Sequence, residues 1–274
     1  MGLEPEITPP DENEQVGKST ALGLAQALSR SGESVAQPGR NTWDSIPEGR
    51  LNERRLAKER IITLNRRDPG HVAIDMMRTR LRTLMKENGW TKVGITSPTP
   101  GCGKTFMSIN LAFSLTRNVG SRTVLLDLDM KSPSVARYFG YKDPKSAGEF
   151  LIGETSAEDY LVRFGDQLAV GMNTVKVNSS SEILSTRMCR HTIDETISSL
   201  EVEAAVIDLP PLLSTDDALA ALPLLDCVVL VIASGHTRRK EVLKCERLLE
   251  ERVNFVGCVI NKCEERLFQR YYYN

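Results

Sequence analysis

Apolar positions along the chain follow two rhythms. Short unbroken runs of β-branched and aliphatic residues occur at Val93–Thr96, Thr123–Asp129, Ala204–Asp208, Cys227–Ala233 and Phe255–Asn261. Runs this short and this apolar predict strands buried on both faces, as in a parallel sheet. Between them apolar residues recur at three- and four-residue steps. Val72, Ile74, Met77, Leu81, Leu84 and Met85 do so within Gly70–Glu87, and Phe106–Leu115 and Arg238–Arg252 repeat the pattern. Asn88-Gly89 and Asn118-Val119-Gly120 close the first two helices. The middle of the chain is weaker: a short helix at Ala147–Ile152, a strand at Leu168–Met172, a helix capped by Ser180-Ser181-Glu182 and running to about Arg190, and another from Thr192 to Leu200. A further helix begins at Thr215-Asp216-Asp217-Ala218. Strands alternating with helices predict an α/β fold: a doubly wound, mostly parallel sheet with helices on both faces.

The first strand opens the most informative stretch. It runs into Ser97-Pro98-Thr99-Pro100-Gly101-Cys102-Gly103-Lys104-Thr105 and then a helix. Strand, glycine-containing loop and helix form the P-loop arrangement, which makes this a P-loop NTPase pattern. Gly101 and Gly103 let backbone N–H groups close on phosphate oxygens. The helix start adds unpaired donors. Lys104 suits the β- and γ-phosphates, and the Thr105 hydroxyl suits Mg²⁺. Thr99, Pro100, Gly101, Cys102, Gly103, Lys104, Thr105 and Phe106 are the candidate nucleotide-binding residues. Pro98 stands where the general pattern has its first glycine. Cys102 is either a small side chain filling the loop or a thiol whose oxidation blocks ATP.

Two further strands end in carboxylates. Asp127 and Asp129 close the second, and Asp208, followed by Leu209-Pro210-Pro211, closes the strand at Ala204. In an open parallel sheet, ligands lie beyond the carboxyl ends of the strands, so these acids face the crevice of the P-loop. Asp208 matches the metal-side element of P-loop hydrolases.

Composition adds boundaries. The chain has 274 residues and a formal net charge of −1, so bulk electrostatics gives no nucleic-acid partner. The six cysteines show no CxxC pairing, which argues for reduced thiols rather than a disulfide framework or a zinc site. No apolar run reaches membrane-spanning length, and the acidic, proline-containing N-terminus lacks a signal-peptide core. Residues 1–65 are poor in large apolar residues and predict a disordered arm, with a brief helix at Thr20–Leu28 and a solvated helix at Arg50–Arg60. The core domain is placed at 66–266 and a tyrosine-rich tail at 267–274.

Three segments then agree with one family. Ser97 to Thr105, with its Pro100-Gly101, Leu125-Leu126-Asp127-Leu128-Asp129-Met130-Lys131-Ser132-Pro133, and Val206-Ile207-Asp208-Leu209-Pro210-Pro211 followed by Asp217-Ala218 resemble the Walker A, A′ and B segments of the bacterial tyrosine kinases of capsule and exopolysaccharide export, P-loop ATPases related to ParA and MinD. The likeness runs from about Ile74 to the C-terminus. It implies an autokinase that uses ATP and Mg²⁺, with Lys104 on the phosphates and Thr105 and Asp208 at the metal. Asp127 stands at the metal or as the group that orients or deprotonates the acceptor hydroxyl, and Asp129 supports either role. By analogy Asn261 contacts adenine, and Tyr271, Tyr272 and Tyr273 are the phosphoacceptors. It further implies a homo-oligomer, a membrane-bound polysaccharide co-polymerase as activator, a cognate tyrosine phosphatase, and a cytoplasmic position at the inner membrane held through that partner. The family usually carries Arg where Lys131 stands, and its subunit-contact helix reads Glu-x-x-Arg-x-x-Arg where this chain has Asp75-Met76-Met77-Arg78 and then Arg82. Two other readings stay open. One is a ParA/MinD-like ATPase switch, although those relatives carry an additional Lys where this loop has Ser97, Pro98 and Thr99. The other is an ATP-binding regulator of polysaccharide assembly that phosphorylates nothing.

Overall fold

The computed structural model describes residues 43–64, 70–118, 120–143 and 145–263. Thr20–Leu28 and the tyrosines at 271–273 lie outside the described residues. Seven strands form one sheet: β1 (Lys92–Thr96), β2 (Thr123–Asp127), β3 (Leu161–Phe164), β4 (Leu168–Gly171), β5 (Ala204–Asp208), β6 (Cys227–Ala233) and β7 (Asn254–Asn261), in the order β3-β4-β2-β5-β1-β6-β7. Among these strands all pairings are parallel except β3 with β4.

Both faces of the sheet are covered, which is why its central strands carry no polar alternation. Val124 and Leu126 of β2 pack into one core cluster with Ala205, Ile207 and Val228, while Leu125 packs into a second with Val93, Ile95, Val206 and Val229. The helix Lys104–Leu115, buried along nearly its whole length, belongs to the second cluster. Against it lies the helix Gly70–Asn88, whose Asp75 receives Arg117 Nη1 on both carboxylate oxygens, at 2.9 and 2.7 Å, and Ser114 Oγ at 2.8 Å. Asp75 and Arg78, the residues of the expected subunit-contact helix, are thus part of an ion-pair network within the chain, at 3.3 Å from each other. No helix among the described residues is long and apolar enough to cross a membrane.

Four features differ from the sequence-based expectation. β2 ends at Asp127 rather than Asp129, because Asp129 starts a turn in which its carbonyl accepts from Ser132 N–H at 3.0 Å. The predicted helix from Ser180 breaks after Leu184; Thr186 Oγ1 accepts from Cys189 N–H and caps a new helix, Arg187–Ser199. β3 is an additional antiparallel edge strand. Finally, residues 43–64, assigned by composition to a disordered arm, pack onto the domain. Trp43, Ile46, Leu56 and Ile61 are buried in the two cores. Gly49 N–H donates to Arg163 O at 2.7 Å and Arg163 N–H to Pro47 O at 2.8 Å, which covers the open edge of β3. A few large apolar residues spaced through a polar segment are enough to anchor it.

Candidate nucleotide site

The loop that leaves β1 is shaped by two glycines in the left-handed region, Gly101 at φ 80° and Gly103 at φ 95°. Gly103 also admits a close neighbour: a Cβ there would lie 2.1 Å from Asn261 Nδ2. Asn261, at the end of β7, donates through Nδ2 to Cys102 O at 2.9 Å and accepts Lys262 N–H on Oδ1 at 2.8 Å. Its amide therefore braces the loop from outside, a role the sequence did not reveal beside the expected adenine contact. Cys102 is fully buried, with Sγ 3.7 Å from Thr99 Oγ1 and 3.6 Å from Thr237 Oγ1. Thr99 O accepts from Ser97 Oγ at 2.8 Å, and Pro100 and Gly101 are exposed on the loop. Phe106 packs half-buried against the second core, one step past the loop.

The carboxylates arrive from two adjacent strands. Asp127 of β2 and Asp208 of β5 are register partners, and Asp208 also pairs with Ile95 of β1. Lys104 Nζ lies 2.7 Å from Asp129 Oδ2 and 3.7 Å from Asp208 Oδ2. Thr105 Oγ1 donates to Asp208 Oδ2 at 2.6 Å, and Ser108 Oγ to Asp208 Oδ1 at 3.0 Å. Asp127 is held by backbone donors: Ser134 and Val135 N–H on Oδ2, both at 2.9 Å, and Asp129 N–H on Oδ1 at 3.2 Å. Ser134 Oγ completes the ring at 2.9 Å from Thr105 Oγ1. Ser108 and Ser134 escaped sequence reading, since a serine in a helix or a turn carries no signal of its own. Lys131 turns to the start of the helix Asp217–Ala221, beyond β5, and meets Asp217 Oδ1 at 2.9 Å.

Electrostatics follows from burial. Asp127, Asp129 and Asp208 are 0%, 4% and 0% exposed and share one ammonium, so negative charge is in excess. Burial and then the neighbouring Asp208 push Asp127 up to about 8. Burial also raises Asp208, against the pull of Lys104 and the hydroxyls of Thr105 and Ser108. At Lys104 burial opposes the charge, but Asp208 and Asp129 overcome it and hold the ammonium above its ordinary pKa. Uncompensated carboxylates beside a hydroxyl make a hard-oxygen donor set that fits Mg²⁺. Among the described residues no three acidic, Cys or His side chains form a complete metal cage.

A family model described as the NUBPL iron-transfer P-loop NTPase, ParA, matches residues 90–264. The putative tyrosine-protein kinase EpsB of Ralstonia solanacearum is 27% identical over 208 residues, 74% of this chain and 27% of its own length. The tyrosine-protein kinase etk of Escherichia coli K12 is 26% identical over 281 residues, 93% of this chain and 38% of its own. The solved kinase domain of the E. coli tyrosine kinase ETK superposes with a TM-score of 0.67 at 25% identity, covering 75% of this chain and 80% of that one. The chain thus spans well under half the length of these curated relatives. The family match takes in the whole sheet, the loop and all three carboxylates, and this chain belongs to the ParA family of P-loop NTPases.

Proposed function

We propose that the chain is an ATP-dependent protein-tyrosine kinase of the bacterial type. It transfers the γ-phosphate to its C-terminal tyrosines, Tyr271, Tyr272 and Tyr273, and so regulates capsule or exopolysaccharide polymerisation and export. One observation carries the reading: Lys104, Thr105, Asp127, Asp129 and Asp208 converge in a single buried cluster, in a chain whose relatives are named tyrosine-protein kinases.

Phosphoryl transfer asks a protein for positioning and charge neutralisation rather than covalent chemistry. The loop backbone from Thr99 to Thr105 wraps the phosphates, with N–H donors from every residue but Pro100, and Lys104 leaves Asp129 for the β- and γ-oxygens. Thr105, Asp208 and Asp127 supply the oxygens that hold Mg²⁺, Asp208 directly or through water. When bound, the cation neutralises charge that develops on the transferring phosphoryl group. A phenol has a pKa near ~10, so its proton needs a nearby acceptor. Asp127, where it does not hold the cation, or Asp129 beside it, takes that role.

The partners follow from the same reading: a second copy of the chain as acceptor or donor of the tail, a membrane-bound polysaccharide co-polymerase as activator, a tyrosine phosphatase that resets the tail, and a place at the cytoplasmic face of the inner membrane through the co-polymerase. The ParA family match favours one other reading, a nucleotide-gated switch. Anti-phosphotyrosine blotting of purified protein with ATP and Mg²⁺ separates the two. The kinase reading expects signal that disappears in Lys104→Met and in the triple Tyr→Phe variant; ATP hydrolysis with no phosphotyrosine, even when the partner's cytoplasmic tail is added, supports the switch.

A further inference from the structure

We infer that Ser134 is a positioning residue of the cation site, fixing which lone pair of the Thr105 hydroxyl is offered to the metal. This rests on the site taking a magnesium–nucleotide. A threonine hydroxyl has one proton and two lone pairs. The Thr105 proton goes to Asp208 Oδ2 at 2.6 Å. The contact between Thr105 Oγ1 and Ser134 Oγ at 2.9 Å must then run from the Ser134 hydroxyl as donor. The second lone pair faces Lys104 Nζ, which donates to it at a long 3.4 Å. Thr105 is therefore held on three sides, and only the Lys104 side is weak. When Lys104 turns to a phosphate, that lone pair is released toward the carboxylates, while Ser134 keeps the other occupied and the Thr105 proton stays directed at Asp208 Oδ2.

Ser134 is itself fixed at the site. Its backbone N–H donates to Asp127 Oδ2 at 2.9 Å, so the same residue reaches Asp127 through its main chain and Thr105 through its side chain. It is half-exposed, so shortening its side chain leaves the core untouched. Ser134→Ala deletes the hydroxyl and keeps the Asp127 contact, which isolates the orienting role. Without it, Thr105 rotates to share its proton and lone pairs among Asp208, Lys104 and water.

The test is binding of a fluorescent ADP analogue to the full chain, titrated with and without Mg²⁺. Ser134→Ala is expected to raise the Mg²⁺ concentration for half-maximal binding by about threefold to tenfold, the worth of one hydrogen bond. Binding without Mg²⁺ stays at the level of the unmodified protein, and Ser134→Thr, which restores a hydroxyl, restores the Mg²⁺ dependence. An unchanged Mg²⁺ titration overturns the inference, as does an equal loss with and without the cation or a failure of Ser134→Thr to restore it. If the unmodified protein binds no nucleotide under either condition, the nucleotide-site reading itself falls, a result distinct from these.

Discussion

Asp127 and Asp208 stand side by side as register partners on β2 and β5, both fully buried. Two carboxylates so placed cannot both stay ionised cheaply, and Asp127 responds: burial and then Asp208 raise it to about 8. In the unfolded chain it titrates near the ordinary 3.8. Between these values the folded state holds the extra proton, so this group's stabilisation is full below the lower value and is lost as pH rises through the upper one. Thermal melts of nucleotide-free protein are expected to fall from about pH 4 to about pH 8 and to level off above, and Asp127→Asn to flatten much of that fall. An equally steep decline in Asp127→Asn would contradict the assignment.

Among the described residues Lys104 is the ammonium set among three buried acids, 2.7 Å from Asp129 and 3.7 Å from Asp208. Lys104→Met removes the cation that the proposed mechanism moves to the phosphates. Phosphoryl transfer is expected to drop by at least about 10²-fold, the usual effect of deleting one preorganised charge stabiliser. Stopped-flow mixing with ATP and quench-flow sampling measure it; a drop below about tenfold would place the phosphate-binding cation elsewhere.

Gly103 combines φ 95° with the close approach of Asn261. Gly103→Ala forces a strained backbone and pushes the Asn261 amide off Cys102 O. Nucleotide affinity is expected to fall by about tenfold, a cost of roughly 1–2 kcal/mol. Asn261→Ala, which loses the brace without the strain, is expected to lose less. Calorimetric titration with ADP reads both, and equal losses would locate the whole effect in the asparagine.

Trp43 is 3% exposed, packs in the first core with Ile46, and lies under the Arg122 guanidinium at 5.5 Å from the ring centroid. Trp43→Ala is expected to cost roughly 3–5 kcal/mol of unfolding free energy. Urea denaturation measures it. A cost near zero would mean that residues 43–64 do not belong to the cooperative unit.

Much of this fold was legible because its central strands are buried on both faces. Ala204–Asp208 and Cys227–Ala233 have the same bounds as strands in sequence and in structure, for each is an unbroken apolar run. The glycine loop and the strand-end acids were readable because phosphate and metal chemistry restricts residue type at those points. β3 was not: Leu161-Val162-Arg163-Phe164 is short, and its pairing with β4 depends on partners distant from any local signal. The segment 43–64 was lost to averaging, since Trp43, Ile46, Leu56 and Ile61 are separated by polar residues. Ser134, Ser108 and the Asn261 brace depend on where three chain segments meet, which no single segment records.

The most direct test of the account is mass spectrometry of the C-terminal peptide after purified protein is incubated with ATP and Mg²⁺, with and without the cytoplasmic tail of the proposed co-polymerase partner. The account predicts phosphate on Tyr271, Tyr272 or Tyr273 in the unmodified chain, increased by the partner and absent in Lys104→Met. A peptide that stays unphosphorylated under every condition would contradict it.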